Sequence, residues 1–196
     1  MGDPKRRRKT YNTPGHPYEA NRLEAELVTV GKYGLRNKRE LWKARTQLGS
    51  YRQQARSLLA HEPEERERLG KLLVNKLTRL GILAEGSTTD DVLALQVEDI
   101  LGRRLQTRVF ELGFANTIHQ ARQMIVHRHI LFGEHAINVP SFLVPVKDEE
   151  KISIAKNSPF ARADHPMLPQ NIAKAQAEKG KQKGKIRGRK EGGKNQ

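Results

Sequence analysis

The feature that most constrains this chain is where its charge sits. Residues 1–22 carry six Lys/Arg against two Asp/Glu, residues 155–196 eleven against three, and residues 23–154 twenty against seventeen. The flanks combine mutually repelling cations with almost nothing to bury, so a packed core has to come from the near-balanced middle. The formal net charge of +15 and the pI near 10.3 therefore belong mostly to two arms. Basic arms of this kind seek a polyanion. A merely solubilising tail would mix signs or favour acids.

Hydrophobic residues make up 36% of the 196, and the mean hydropathy is −0.76, lean but enough for a core. No run approaches the ~18 consecutive apolar residues of a membrane span. The N-terminal charges have no apolar stretch behind them, so no secretory signal is expected. The absence of cysteine removes a disulfide framework, a thiolate zinc site, an iron–sulfur cluster and a cysteine nucleophile. It fits a reducing compartment.

Along the chain, Lys5, Arg6, Arg7, Arg8 and Lys9 form an unbroken cation run, and Pro14 and Pro17 block a helix after it. Residues 1–17 read as an extended basic arm that orders only on a surface. A first helix over 18–30 follows from Leu23, Leu27 and Val30, with Gly31 and Gly34 ending it. Over 38–60, Leu41, Ala44, Leu48, Tyr51, Ala55 and Leu58 alternate steps of three and four, an apolar stripe that faces a partner. Lys38, Arg45, Arg52 and Arg56 fall within about 40° of one another on its flank. This segment holds six Lys/Arg and one acid, Glu40. A one-sign row costs repulsion unless a polyanion neutralises it, so nucleic-acid contact is expected there. Pro63 with Glu64, Glu65 and Glu67 starts a further helix, with Leu69, Leu72, Leu73, Leu77 and Leu80 as its buried face and Gly81 as its end. Its mixed charge reads as structural. The loop 85–90 caps another helix over 91–103.

From Arg104 the pattern changes. A short helix over 104–112 ends at Gly113, and Asn116-Thr117 caps a second helix that runs to about Arg128. Short β-type runs at 129–132, 136–139 and 151–154 follow, with a turn at Gly133-Glu134 and breaks at Pro140 and Pro145. The fold class is α+β: a helical N-terminal half over 18–103 and a two-helix, bent-sheet module over 104–154. From 155 the chain is a basic extended tail, with glycine every four residues from Gly180.

No phosphate-cradling glycine loop precedes a helix, and no nucleophile elbow occurs. His127 and His129, with His135 near in sequence, raise a metal hypothesis, but Arg128 between them opposes a cation. A His/Arg cluster that donates hydrogen bonds to phosphate and sugar fits better. In the helix after Thr117, Ile118, Ala121, Met124 and Ile125 form the core side. His119, Arg122, Gln123 and His127 form an outer side with no acid. Asn116 and Thr117 stand at its positive end, a natural phosphate seat. Candidate nucleic-acid-binding residues in the module are Arg103, Arg104, Arg108, Asn116, Thr117, His119, Gln120, Arg122, Gln123, His127, Arg128 and His129. No catalytic residue, cofactor or metal ligand is assigned.

These residues resemble a known family. Arg104-Leu105-Gln106-Thr107-x-Val109-Phe110-x-Leu112-Gly113-Phe114-Ala115, then His119-Gln120-Ala121-Arg122-Gln123-Met124-Ile125-x-His127-x-His129-Ile130, looks like the RNA-binding module first defined in the S-four ribosomal protein, the αL motif. Gly133 and Asn138-Val139-Pro140-Ser141 continue the match. The same module also occurs in pseudouridine synthases and tyrosyl-tRNA synthetases, so alone it implies binding to structured RNA. The lead-in Val97-Glu98-Asp99-Ile100-Leu101, the helical half and the Pro4-to-Pro17 arm resemble the archaeal–eukaryotic branch of the S-four family itself. That resemblance implies a structural role in the small ribosomal subunit in the cytoplasm, with early binding to the 5′ domain of small-subunit RNA. It also implies a place where mRNA enters, beside the S-five and S-three proteins, and a part in translational accuracy. An RNA-modifying enzyme would need a separate catalytic domain, and the residues before Arg104 show no convergent acid/base set. The family's common His-Gly-His is His127-Arg128-His129 here, which gives up a glycine's free φ. The cysteine zinc knuckle of some bacterial members has no counterpart.

Overall fold

A computed structural model of the chain describes Gly2 and residues 9–161. Lys5, Arg6, Arg7 and Arg8, and the glycine–lysine tail from 162 onward, lie outside the described residues. The chain divides into two compact units, Met1–Arg104 with Leu143–Lys147, and Leu105–Phe142 with Asp148–Gln196. Helices dominate and one small antiparallel sheet accompanies them, so the fold is α+β. No helix among the described residues is long and apolar enough to cross a membrane.

The first unit is built around α2 (Lys38–Leu58), which follows α1 (Ala20–Lys32). Asn37 caps α2 by accepting the Glu40 amide at 3.2 Å. All six residues of the expected stripe, from Leu41 to Leu58, are buried. They pack in one cluster with Leu73 and Leu77 of α3 (Pro63–Arg79), Val92 of α4 (Asp91–Ala94), and Ile100 and Leu101 of α5 (Val97–Gly102). Burying each of its leucines contributes about 1.5–3 kcal/mol, so this stripe is the main reason the unit holds together.

Four local expectations change here. In α1 the inward face is Leu23, Glu26 and Val30 rather than Leu23, Leu27 and Val30: Leu27 is 60% exposed and Glu26 only 3%. Cations of both helices, Arg22, Lys38 and Arg45, lie within 3.7 Å of the buried Glu26 carboxylate. The helix also runs through Gly31 and ends at Gly34, whose φ of 55° lets the Leu35 amide reach the Val30 carbonyl at 3.0 Å. In α3, Leu73 and Leu77 are buried, while Leu72 is 59% and Leu69 37% exposed. Between 91 and 103 there are two short helices, because Leu95 leaves helical geometry (ψ 144°) to enter the core. α5 then restarts with the Gln96 amide on Asp99 Oδ2 at 2.7 Å. Gly81 does end α3: at φ 70°, a Cβ there would lie 2.5 Å from Val146 Cγ2.

The second half of the N-terminal arm is docked rather than free. The Tyr11 ring lies 6.0 Å from that of Trp42, the Asn12 amide donates to Thr46 Oγ1 at 3.0 Å, and Arg22 Nη2 donates to the carbonyls of His16 (2.6 Å) and Pro17 (2.9 Å). An aromatic ring and satisfied backbone groups supply what the cation run alone lacks.

In the second unit, α6 (Leu105–Glu111) packs on α7 (Ile118–Val126), and Leu105, Val109, Ala121, Met124 and Ile125 are buried. The first amides of α6 are satisfied by the carbonyls of Phe142 (2.7 Å) and Pro140 (3.3 Å). β1 (Ile130–Phe132) is central, flanked antiparallel by β2 (His135–Ala136) and β3 (Ile152–Ile154). The expected run at 136–139 shrinks to that two-residue strand, and its partner pairs are Leu131 with Ala136 and Phe132 with His135. Residues 155–161 are held too: the Ala155 amide donates to the His129 carbonyl at 2.8 Å, and Phe160 packs edge-on to the His129 ring.

Candidate nucleic-acid interface

α7 begins with a Thr117 cap, Oγ1 accepting the Gln120 amide at 3.1 Å. Gln120 Oε1 in turn accepts the Asn116 amide at 2.7 Å. Two donors at the positive end are thus used within the unit, and Gln120 works as a cap. Asn116 and Thr117 remain exposed. Ala121, Met124 and Ile125 face inward as expected, whereas Ile118 is only half-buried. The outward side carries His119, Gln123, Val126 and His127, all exposed, and no acid. Val126, at 50% exposure, is an apolar spot that the face assignment passed over.

Arg122 is not on the open face. It is half-buried and Nη1 donates to Gln106 Oε1 at 3.2 Å; buried Gln106 donates through Nε2 to the Ile118 carbonyl at 3.1 Å. This network ties α6 to α7 in the second unit.

The helix ends in a tight reverse turn. The Arg128 amide reaches the Ile125 carbonyl and the His129 amide the Met124 carbonyl, each at 2.9 Å. Arg128 has φ 60°, the left-handed region that glycine enters without penalty. The turn is therefore kept despite the missing glycine, and it leaves the Arg128 guanidinium exposed beside His127. His129 lies deeper: Nδ1 is 3.1 Å from Ser158 Oγ, and burial, then the neighbouring His127, push its pKa below the usual imidazole value. Among the described residues no three His, Asp or Glu side chains come together as a metal ion would require. His135 is exposed on β2.

The remaining candidates divide by partner. Arg104 is 5% exposed and pairs with Glu40 at 2.6 Å, which makes it part of the first unit's interior. Arg108 pairs with Glu111 and, at 2.7 Å, with Glu149. Arg103 donates to the Val144 carbonyl at 2.8 Å, and Arg52 to the Leu95 carbonyl. Lys38 and Arg45 sit 3.3 and 3.7 Å from Glu26 with their heads partly in solvent. Lys9 and Arg56 are exposed. The expected basic row on α2 is thus a mixture of anchored and open cations. Arg36 before α2, and Arg39 and Lys43 one turn apart on it, are also exposed. Spacing to the apolar stripe passed over them; their distance from it was the available signal.

Comparison with known proteins covers both halves. Residues 103–149 match the family model for the S4 domain, and residues 5–102 match that for the ribosomal protein S4/S9 N-terminal domain. A small ribosomal subunit protein uS4 of Methanococcus aeolicus is 48% identical over 177 residues, 90% of this chain and 100% of the relative. The uS4 of Hyperthermus butylicus is 50% identical over 162 residues, 83% of this chain and 92% of the relative. That of Sulfurisphaera tokodaii is 48% identical over 171 residues, 87% and 96%.

Proposed function

The chain belongs to the small-ribosomal-subunit uS4 family, and from that premise we propose that it binds small-subunit ribosomal RNA directly, as a structural protein of the ribosome and not an enzyme. The observation that carries this reading is the exposed, acid-free outer side of α7 together with the cationic turn at Arg128. Such a surface offers phosphates and riboses donors and positive charge without a competing carboxylate. We propose as its contact residues Asn116, Thr117, His119, Gln123, His127 and Arg128. From the first unit, Lys9, Lys38, Arg45 and Arg56, with Arg39 and Lys43, add phosphate contacts. Lys5, Arg6, Arg7 and Arg8 belong to the same proposal on sequence grounds alone.

The finer reading is also a proposal: binding at the 5′-domain junction early in assembly, and a place where mRNA enters, beside the S-five and S-three proteins, with a part in accuracy. So is the division of labour between arm (1–17), helical domain (18–103), module (104–154) and tail (155–196). Filter binding of the full chain to a small-subunit RNA transcript tests the core of it. Arg128→Ala and His119→Ala are expected to weaken binding without altering the melt; unchanged affinity in both would overturn the α7 assignment.

A further inference from the structure

α1 carries a buried acid that RNA contact alone does not explain. Glu26 is 3% exposed, in a chain whose other functional surfaces are basic. An isolated ionised carboxylate at that depth would be costly. This one is met by three cations and one N–H donor from two helices. Arg22 Nη1, one turn earlier on α1, lies 3.7 Å from Oε1. From α2, Lys38 Nζ lies 3.3 Å from Oε2, Arg45 Nη1 3.7 Å from Oε1, and Trp42 Nε1 donates to Oε1 at 3.3 Å.

The three cations are then put to two uses. Lys38 and Arg45 keep side chains 29% and 54% exposed, so an anion arriving from solvent meets them but does not meet Glu26. Arg22 is turned inward, 14% exposed, and its other nitrogen holds the carbonyls of His16 and Pro17. Tyr11 on Trp42 and Asn12 on Thr46 continue that docking toward Lys9. Lys38, Trp42, Arg45 and Thr46 recur at helical spacing, so all these contacts lie along one side of α2.

We propose that Glu26 is a positioning residue for RNA binding: it fixes Lys38 and Arg45 as a preset clamp for the phosphodiester backbone. The inference rests on the RNA-binding reading of α2 and deepens it. Its physical content is preorganisation. Long cationic side chains lose rotamer freedom when they engage a phosphate, and a buried carboxylate that already holds them lowers that cost.

Two accounts predict opposite signs for Glu26→Gln. By charge alone, removing an acid from a basic surface tightens RNA binding. Under preorganisation it weakens binding although the net charge rises by one. The experiment measures affinity of the full chain for a transcript of its small-subunit RNA, wild type against Glu26→Gln, with melts run alongside. A loss of roughly fivefold to tenfold is expected, the cost of newly ordering one or two such side chains. Made in a Lys38→Gln/Arg45→Gln background, the same change should give no further loss. A purely structural role would lower the melt and cost the same factor in both backgrounds, which would overturn the proposal. Trp42, the single tryptophan, reports the cluster directly, and its emission should shift in Glu26→Gln. Where Glu26→Gln fails to fold, Glu26→Asp keeps the charge but not the reach, and is expected to lose affinity at constant net charge. Equal or tighter binding by the folded variant refutes the proposal while leaving the RNA reading intact. A wild-type chain that does not bind the transcript refutes both.

Discussion

Arg128 separates backbone strain from RNA contact, because two substitutions treat its two properties differently. Its φ of 60° places a Cβ-bearing residue in the left-handed region, at a cost of about 1–2 kcal/mol. Arg128→Gly removes that cost and gives back about 0.4–1 kcal/mol through the greater freedom of glycine in the unfolded chain. The net expectation is a variant more stable by about 0.5–1 kcal/mol. Arg128→Ala keeps the strained Cβ and removes only an exposed guanidinium, so its stability should match the wild type within about 0.5 kcal/mol. Both lose the same cation, and both should lose the same RNA affinity, about 1–3 kcal/mol for a charged hydrogen bond. Urea unfolding followed by far-UV circular dichroism reads the first quantity and filter binding the second. An Arg128→Gly variant less stable than Arg128→Ala would refute the strain argument. Unequal affinity losses would show that the turn, rather than the charge, is what RNA meets.

Arg104→Ala should cost about 3 kcal/mol in a denaturant melt, because it breaks a largely buried ion pair with Glu40, and should not change RNA affinity of the folded fraction. Ile125→Ala, at a fully buried site, should lose about 2–5 kcal/mol in the same assay. Thr117→Ala should lose about 1 kcal/mol with the α7 cap. The depressed pKa of His129 has a definite sign. The unfolded chain takes up this proton first, so the stability that the neutral ring contributes is present above about pH 6.5 and is lost as pH falls through the lower folded value. Melts from pH 7.5 to pH 5.5 should therefore fall more steeply for wild type than for His129→Gln; identical slopes would contradict it.

How much of this was legible in the sequence differs by element. The stripe from Leu41 to Leu58 was, because burial by α3, α4 and α5 on one side imposes a clean helical period. So were the Thr117 cap and the turn at Gly81, where side-chain and backbone chemistry are local. α1 was not: its inward face contains Glu26, and a hydrophobic period cannot reveal a carboxylate that is buried because cations of another helix meet it. The break at Leu95 was hidden for a similar reason, since only the tertiary core pulls that residue out of helical geometry. The site follows the same rule. The exposure of His119, Gln123 and His127 could be read from helical angle alone. Arg52, Arg104, Arg108 and Arg122 could not, because their partners Leu95, Glu40, Glu149 and Gln106 are between 16 and 64 residues away in sequence.

The most direct test of the central claim, that a cationic surface on a folded scaffold grips ribosomal RNA, is the salt dependence of binding. Each phosphate neutralised contributes about 0.7–0.9 to the slope of log affinity against log salt. With open cations on α2, at the Arg128 turn and at Lys9, the slope for a small-subunit RNA transcript should be well above roughly 3 in magnitude between low and moderate salt. An affinity that stays flat over that range would contradict the account.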